Sequence, residues 1–402
     1  MELSSSPPPL APPTTEEDKL SWLRLLRSRR VGPATFLRLM RQHGAATAAL
    51  EALPGVAAKA GDTSYKPCPE GVVHAELRAA RRAGARALYL GAANYPTALA
   101  QIHDPPPLLW AIGTPNLAQS RCVALIGARN ASSMGLRMAR AMAQDLGAES
   151  CTIVSGLARG IDGAAHSAAL QTGTVAVLAG GVDMAYPSEH SRLHQDIAKA
   201  GLLVSERPPG YRAQARDFPR RNRIITGICA ATVVVEAALR SGSLGTARLA
   251  LDQGRDVMAV PGHPMDPRAA GCNMLIRDGA QLVRGAADIL EALPRLEMRA
   301  VIPNGPAQPA QIDAAMANDP LEIPDHLGLR ALEKPTPPQK PKSHDAPLTD
   351  RIMNRLGMSP VARDQLVRDL GQPPAAIESA LTLLELEGRI ERGPGGLVMR
   401  QQ

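Results

Sequence analysis

Aromatic side chains make up only 2% of the 402 residues, with two Phe and two Trp, so aliphatic residues and alanine must build the cores. Any aromatic in a polar setting therefore carries information. Cysteine is scarce too. Cys68, Cys122, Cys151, Cys229 and Cys272 stand singly, without a C-x-x-C pair or histidines at zinc-ligand spacing. That pattern excludes a disulfide scaffold and a zinc finger, and fits a reducing compartment. No apolar run reaches membrane-spanning length, and "MELSSSPPPLAPPTTEE" has neither the basic start nor the apolar centre of a signal peptide. A soluble, cytoplasmic protein with no membrane contact is expected. The sequence also lacks G-x-x-x-x-G-K-[ST], and it has no G-x-G-x-x-G after its first central strand. P-loop and dinucleotide chemistry are disfavoured accordingly.

What is present is an apolar fraction of 45%, a formal charge of +7 and enough chain for two or three domains. The basic excess permits a polyanionic partner without requiring one. Residues 1–14 are Pro/Ser-rich and read as a disordered tail. A helical module with its bridge is expected over 15–115, with Thr15 as a cap and Gly32-Pro33 separating helices. "VGPATFLRLM" and "ALPGV" look like two helix-turn-helix pieces, either a plain helical appendage or a helix-hairpin-helix DNA module. A strand is expected at "RALYL", and "DPPPLLWAIG" reads as an extended bridge. Residues 294–346 are Pro-rich and read as a linker. Three short helices and a strand-like "GLVMR" over 347–402 predict a winged helix. Its third helix, near Ala375 to Glu387, carries Glu378, Glu385 and Glu387 and no arginine, so protein contact is at least as well supported as DNA contact.

Between residues 116 and 293 the pattern changes. The short apolar runs "CVALIGA", "TIVSGLA", "TVAVLAGG", "GLLVSE", "TVVVEA" and "DVMAVPG" alternate with helix-length amphipathic segments. Continuous apolar strands separated by helices predict an α/β fold, a doubly wound and mostly parallel sheet covered on both faces. Ligands of such sheets bind beyond the carboxyl ends of the strands. Glycine-rich turns fall there repeatedly: "GARNASSMG", "SGLARGIDGAAH", "AGGVDMAYPSEH", "EAALRSGSLGTA" and "PGHP". Together they describe an anion-lined crevice.

Catalytic sets are thin. His166, His190, His194 and His263 lie near strand ends without a placeable Ser or Asp partner, and Asp162 and Asp183 sit where caps or turns are needed. Glu236 ends a strand at the crevice as a candidate general base. "SGSLGTA" resembles the phosphate loop of lysine-decarboxylase-like nucleotide hydrolases, which keeps that enzyme as the alternative function. The stretch "FPRRNRIITG" is different in kind. Arg216, Arg220, Arg221 and Arg223 cannot all be buried without partners, so they are expected to face water or phosphate. Phe218 beside them either stacks a base of a single strand or plugs the seam between helix and sheet.

Read in order, "ALIGAR", "IVSGLARGIDGAAHSAAL", "VLAGGVDMAYPSEHSRL", "LVSERPPG", "FPRRNRIITGI", "VVVEAALRSGSLGTARLALDQGRDVMAVPG" and "GCNMLIRDGAQLV" resemble the DNA-processing protein A (DprA/Smf) family. The likeness implies an extended Rossmann-like domain between an N-terminal helix-hairpin-helix or SAM-like module and a C-terminal winged helix. It also implies a non-enzymatic role without cofactor or metal: binding and protecting single-stranded DNA in natural transformation and recombination, loading RecA, and dimerising through the central domain. Carried over by motif, Arg129 would contact phosphate, and Ser155, Gly156, Arg159 and Gly160 would supply backbone or side-chain contacts. Gly180 and Gly181 would line the floor, and Phe218 would stack a base. Arg220, Arg221, Asn222 and Arg223 would hold the strand, with Ser243, Gly245 and Thr246 completing a phosphate cradle. Ala128 departs from a serine common in the family, and the winged helix is its least uniform part.

Overall fold

The computed structural model describes residues 10–300, 347–356, 360–393 and 396–400. The N-terminal helices are α1 (Glu16–Arg27), α2 (Pro33–His43), α3 (Ala46–Lys59) and α4 (Glu70–Ala83). Thr15 caps α1 in a capping box with Asp18, and Gly32 with Pro33 starts α2. "ALPGV" forms no second hairpin: α3 runs straight through Pro54. Leu10, inside the expected tail, packs against the core.

The central chain then follows as β1 (Arg86–Tyr89), α5 (Thr97–Ala100), β2 (Leu108–Gly113), β3 (Cys122–Gly127), α6 (Ser133–Ala148), β4 (Thr152–Ser155) and α7 (Ile161–Ala168). It continues with β5 (Thr174–Val177), α8 (Ser191–Ala200), β6 (Leu202–Ser205), α9 (Asp217–Ile228), β7 (Ala231–Glu236) and α10 (Gly242–Asp252). β8 (Asp256–Ala259), α11 (Ala270–Arg277), β9 (Gln281–Leu282) and α12 (Ala286–Ala300) complete it. The expected linker therefore starts later than residue 294, and its remainder, like residues 1–9 of the expected tail, lies outside the described residues.

Nine strands form one sheet in the order β1-β2-β6-β5-β4-β3-β7-β8-β9. β3 to β9 pair in parallel, whereas β1 with β2 and β2 with β6 are antiparallel. The stretch read as a bridge thus contains β2 of the central sheet, and the strand expected at "RALYL" is its neighbour β1. Alternate residues of β3 go to opposite faces: Cys122, Ala124 and Ile126 join the core shared with the N-terminal helices and α9, while Val123 and Leu125 join the core under α6 and α7.

The scarce large aromatics Trp22, Phe36 and Trp110 are spent welding the first module to the sheet. Trp22 Nε1 donates to the Pro107 carbonyl at 3.1 Å. Trp110 Nε1 donates to Glu76, which also takes a two-pronged pair from Arg27 at 2.7 and 2.9 Å.

The last module is a winged helix: α13 (Leu348–Met353), β10 (Val361–Ala362), α14 (Arg363–Leu370), α15 (Pro374–Leu386), β11 (Ile390–Gly393) and β12 (Leu397–Arg400), with strand order β10-β12-β11. Ile352, Leu356, Leu366, Leu381 and Leu384 are among the residues that close its own core.

Candidate nucleic-acid interface

Strand order reverses at β3, which has β4 on one side and β7 on the other. A cleft of about 1290 Å³ opens there, at the carboxyl ends of the strands. Its walls are the turn after β3 (Ala128 to Asn130), the first turns of α9, and the start of α10 with Ser241, Gly242, Ser243, Gly245 and Thr246. Arg268 after β8 lines it too. A recess of about 110 Å³ adjoins it, lined by Arg129, Gly156, Arg159, Gly180, Tyr186 and Phe218 among others.

Two side chains dominate the entrance. Phe218 is half-buried and belongs to none of the apolar cores, so it does not plug the seam between helix and sheet. Its ring lies 5.3 Å from that of Tyr186, tilted by 53°, and the Arg129 guanidinium sits 5.4 Å from its centre. Tyr186 is 55% exposed. Arg129, Arg220 and Arg240 are exposed and form no ion pair among the described residues. Arg159 is also exposed and lies 3.4 Å from Glu189.

Arg221 lines both the cleft and the recess but, contrary to expectation, does not face water. Only 7% of it is exposed, and its Nη1 donates to the carbonyls of Gly156, at 2.7 Å, and Val177. Its plane lies so close over Gly156 that a Cβ there would overlap Cζ, Nη1 and Nη2, which is why residue 156 is glycine. Burial lowers its pKa to about 10, and the nearby Asp162 carboxylate opposes that shift. Asp162 accepts from the N–H groups of Gly156 and Ala158 at 3.0 and 3.3 Å. Its pKa is raised by burial and held back by Arg221. Arg221 is therefore a buried cation that ties the β4 and β5 turns together.

Arg223 is a second correction. It points to Glu206, with both contacts at 2.8 Å, and to Asp104, joining α9 to the N-terminal side of the sheet. Ser155 is a third, because its fully buried hydroxyl donates to the Leu125 carbonyl at 2.7 Å. Gly181 packs under the loop at Pro208 and Gly210 and does not line the cleft. Gly160, at φ +76°, makes the turn that brings α7 against the Ala128 carbonyl, where no side chain fits. Asn222 lines the cleft but donates to Thr246 at 2.8 Å, fixing α9 to the start of α10.

The candidate catalytic groups are occupied as well. Glu236 accepts from the Ser132 N–H at 2.9 Å and from its hydroxyl, so it secures the start of α6; burial raises its pKa. His166, His190 and His194 contact Thr174, the Leu157 carbonyl and the Val182 carbonyl respectively, as structural hydrogen-bonders. Among the described residues no group of His, Cys, Asp and Glu is arranged to hold a metal ion. No helix of the described residues is long and apolar enough to cross a membrane. The sequence reading missed Tyr186, Arg240 and Arg268.

A family model described as DNA recombination-mediator protein A matches residues 86–294. The chain belongs to this family. The flanks match a DprA-like N-terminal HHH domain over 16–79 and a DprA winged helix domain over 335–396. Protein Smf of Escherichia coli is 37% identical over 312 residues, spanning 76% of this chain and 74% of that protein. The DNA processing protein DprA of Bacillus subtilis is 40% identical over 221 residues, 54% of this chain and 74% of the relative. The crystal structure of DprA from Streptococcus pneumoniae superposes with a TM-score of 0.54 at 33% identity, covering 69% of this chain and 93% of that one.

Proposed function

We propose that the cleft at the carboxyl end of the sheet binds single-stranded DNA, and that the protein acts without catalysis as a homodimeric recombination mediator that delivers the strand to RecA. The observation that carries the DNA reading is the set of side chains lining the cleft: exposed Arg129 and Arg240, with the tilted ring pair of Phe218 and Tyr186 beside Arg129. Free cations neutralise phosphates, and exposed rings take bases without reading their edges. The cleft volume of about 1290 Å³ exceeds what one mononucleotide fills and suits a polymer. The nucleotide-hydrolase alternative loses its base, since the Glu236 carboxylate is tied to Ser132. The mediator role is supported by the family description, and RecA as partner rests on the family resemblance alone.

Fluorescence anisotropy with matched single-stranded and duplex oligonucleotides over a salt series tests this. Preference for the single strand is expected, with log affinity falling against log salt by about 0.7 per phosphate neutralised. Arg129→Ala should weaken binding strongly while leaving the circular dichroism spectrum unchanged. Equal affinity for duplex, or an unaffected variant, would remove the reading. RecA delivery is then measured as the rate of RecA filament growth on strands already coated by a single-strand binding protein.

A further inference from the structure

The winged-helix module is seated on the lip of the cleft. Arg268, which lines that cleft, donates from Nη1 to the Asn354 carbonyl at 3.0 Å and from Nη2 to the Leu356 carbonyl. Opposite, the Ser133 N–H in the first turn of α6 donates to the Arg355 carbonyl at 3.3 Å. The Arg355 guanidinium returns a bond to the Ala131 carbonyl at 2.9 Å. Farther along α6 and α14, Arg140 and Asp369 lie 3.7 Å apart.

Three peptide carbonyls of one turn thus occupy a guanidinium fork and a helix start, the two kinds of donor that proteins use for phosphate. Asp266 holds Arg268 through Nε at 3.4 Å, which leaves both Nη groups to the ligand. The Ser133 hydroxyl is buried beside them and has no hydrogen-bond partner among the described residues. A carbonyl offers partial charge where a phosphate offers a full one, and charge-assisted bonds are roughly twice as strong. The seat is also easy to leave. These contacts are polar, and the buried apolar residues of the module form a core that shares none with the cores under the sheet.

We propose that the lip at Arg268 is a phosphate site for the bound strand and that the docked winged helix covers it, so docking and full engagement of DNA exclude each other. This rests on the cleft being the DNA site. By linkage, the factor by which docking weakens strand binding equals the factor by which the strand weakens docking.

The test keeps the full chain. The Ser133 N–H and the Arg355 carbonyl meet at 3.3 Å, which makes this the pair to cross-link, and all five native cysteines are buried. The double variant Ser133→Cys, Arg355→Cys, locked by oxidation, should bind an oligothymidylate at least about five-fold more weakly than the same protein reduced. Arg355→Ala alone should bind more tightly than wild type, with a salt slope steeper by about 0.7. Equal binding by the locked and released forms, or tighter binding when locked, overturns the proposal. If the cross-link does not form, Arg355→Ala decides: unchanged or weaker binding overturns it. Absence of single-strand binding in every form, wild type included, would instead overturn the cleft as the DNA site.

Discussion

Two neighbouring residues of α9, Arg220 and Arg221, mark the boundary between two regions of the cleft. Arg220 is exposed with no ion pair among the described residues, as are Arg129 and Arg240 on the lip. Arg221 belongs to the floor, where its guanidinium satisfies two carbonyls and shares its charge with buried Asp162. One arginine-rich stretch therefore supplies both the machinery that shapes the cleft and the charge that a ligand meets. Counting cations in the sequence does not separate these roles; their partners do. A buried ion costs several kcal/mol to desolvate unless it is compensated, so each floor group is held by fixed dipoles. The lip groups keep their hydration until a phosphate displaces it.

The comparison breaks most visibly at Arg221. Replacing it by alanine leaves the carbonyls of Gly156 and Val177 unpaired and Asp162 buried without its countercharge. A loss of about 3–5 kcal/mol in unfolding free energy is expected, read from urea denaturation. Lysine should not restore it, because an ammonium cannot reproduce the planar packing over Gly156. Should Arg221→Ala unfold at the wild-type midpoint and lose only DNA affinity, the residue would belong with the lip.

Phe218 sharpens the contrast from the other side. Phe218→Ala should cost about 1–3 kcal/mol of single-strand affinity with a smaller change in stability, and Phe218→Trp should retain binding. The opposite result, lost stability with intact affinity, would return the ring to the structural group.

Much of this architecture was legible in the sequence. The six central strands are continuous apolar runs, and a strand buried on both faces leaves that trace whatever its neighbours. β2 was not legible as a strand, because the three prolines just before it suggest a bridge and its partner β6 lies far along the chain. The site was readable in outline, since glycine turns mark the carboxyl ends. The burial of Arg221 was not, because its partners are backbone carbonyls on two other strands' turns, which carry no residue signature. The only trace was Gly156, whose missing Cβ makes room for it. Tyr186 and Arg268 escaped because they reach the cleft from turns read for their glycines and prolines.

Acid distinguishes floor from lip more gently. His166 is fully buried on α7, with Nδ1 at 2.7 Å from the Thr174 hydroxyl and Nε2 without a partner among the described residues. Burial, reinforced by the positive charges of His190 and Arg221, lowers its pKa to about 3 from an ordinary 6.5. Between those values the unfolded chain takes up a proton that the folded chain refuses. Stability therefore falls as pH drops below about 6.5, by at most about 1.4 kcal/mol per pH unit from this group, and the decline ends near pH 3. His166→Asn removes the titration, so urea midpoints measured at pH 7, 6 and 5 should decline more steeply in wild type than in the variant. Parallel declines would show that His166 titrates alike in both states. Guanidinium groups as a class do not titrate over this range, so single-strand affinity per folded molecule should stay nearly level while the floor weakens beneath it.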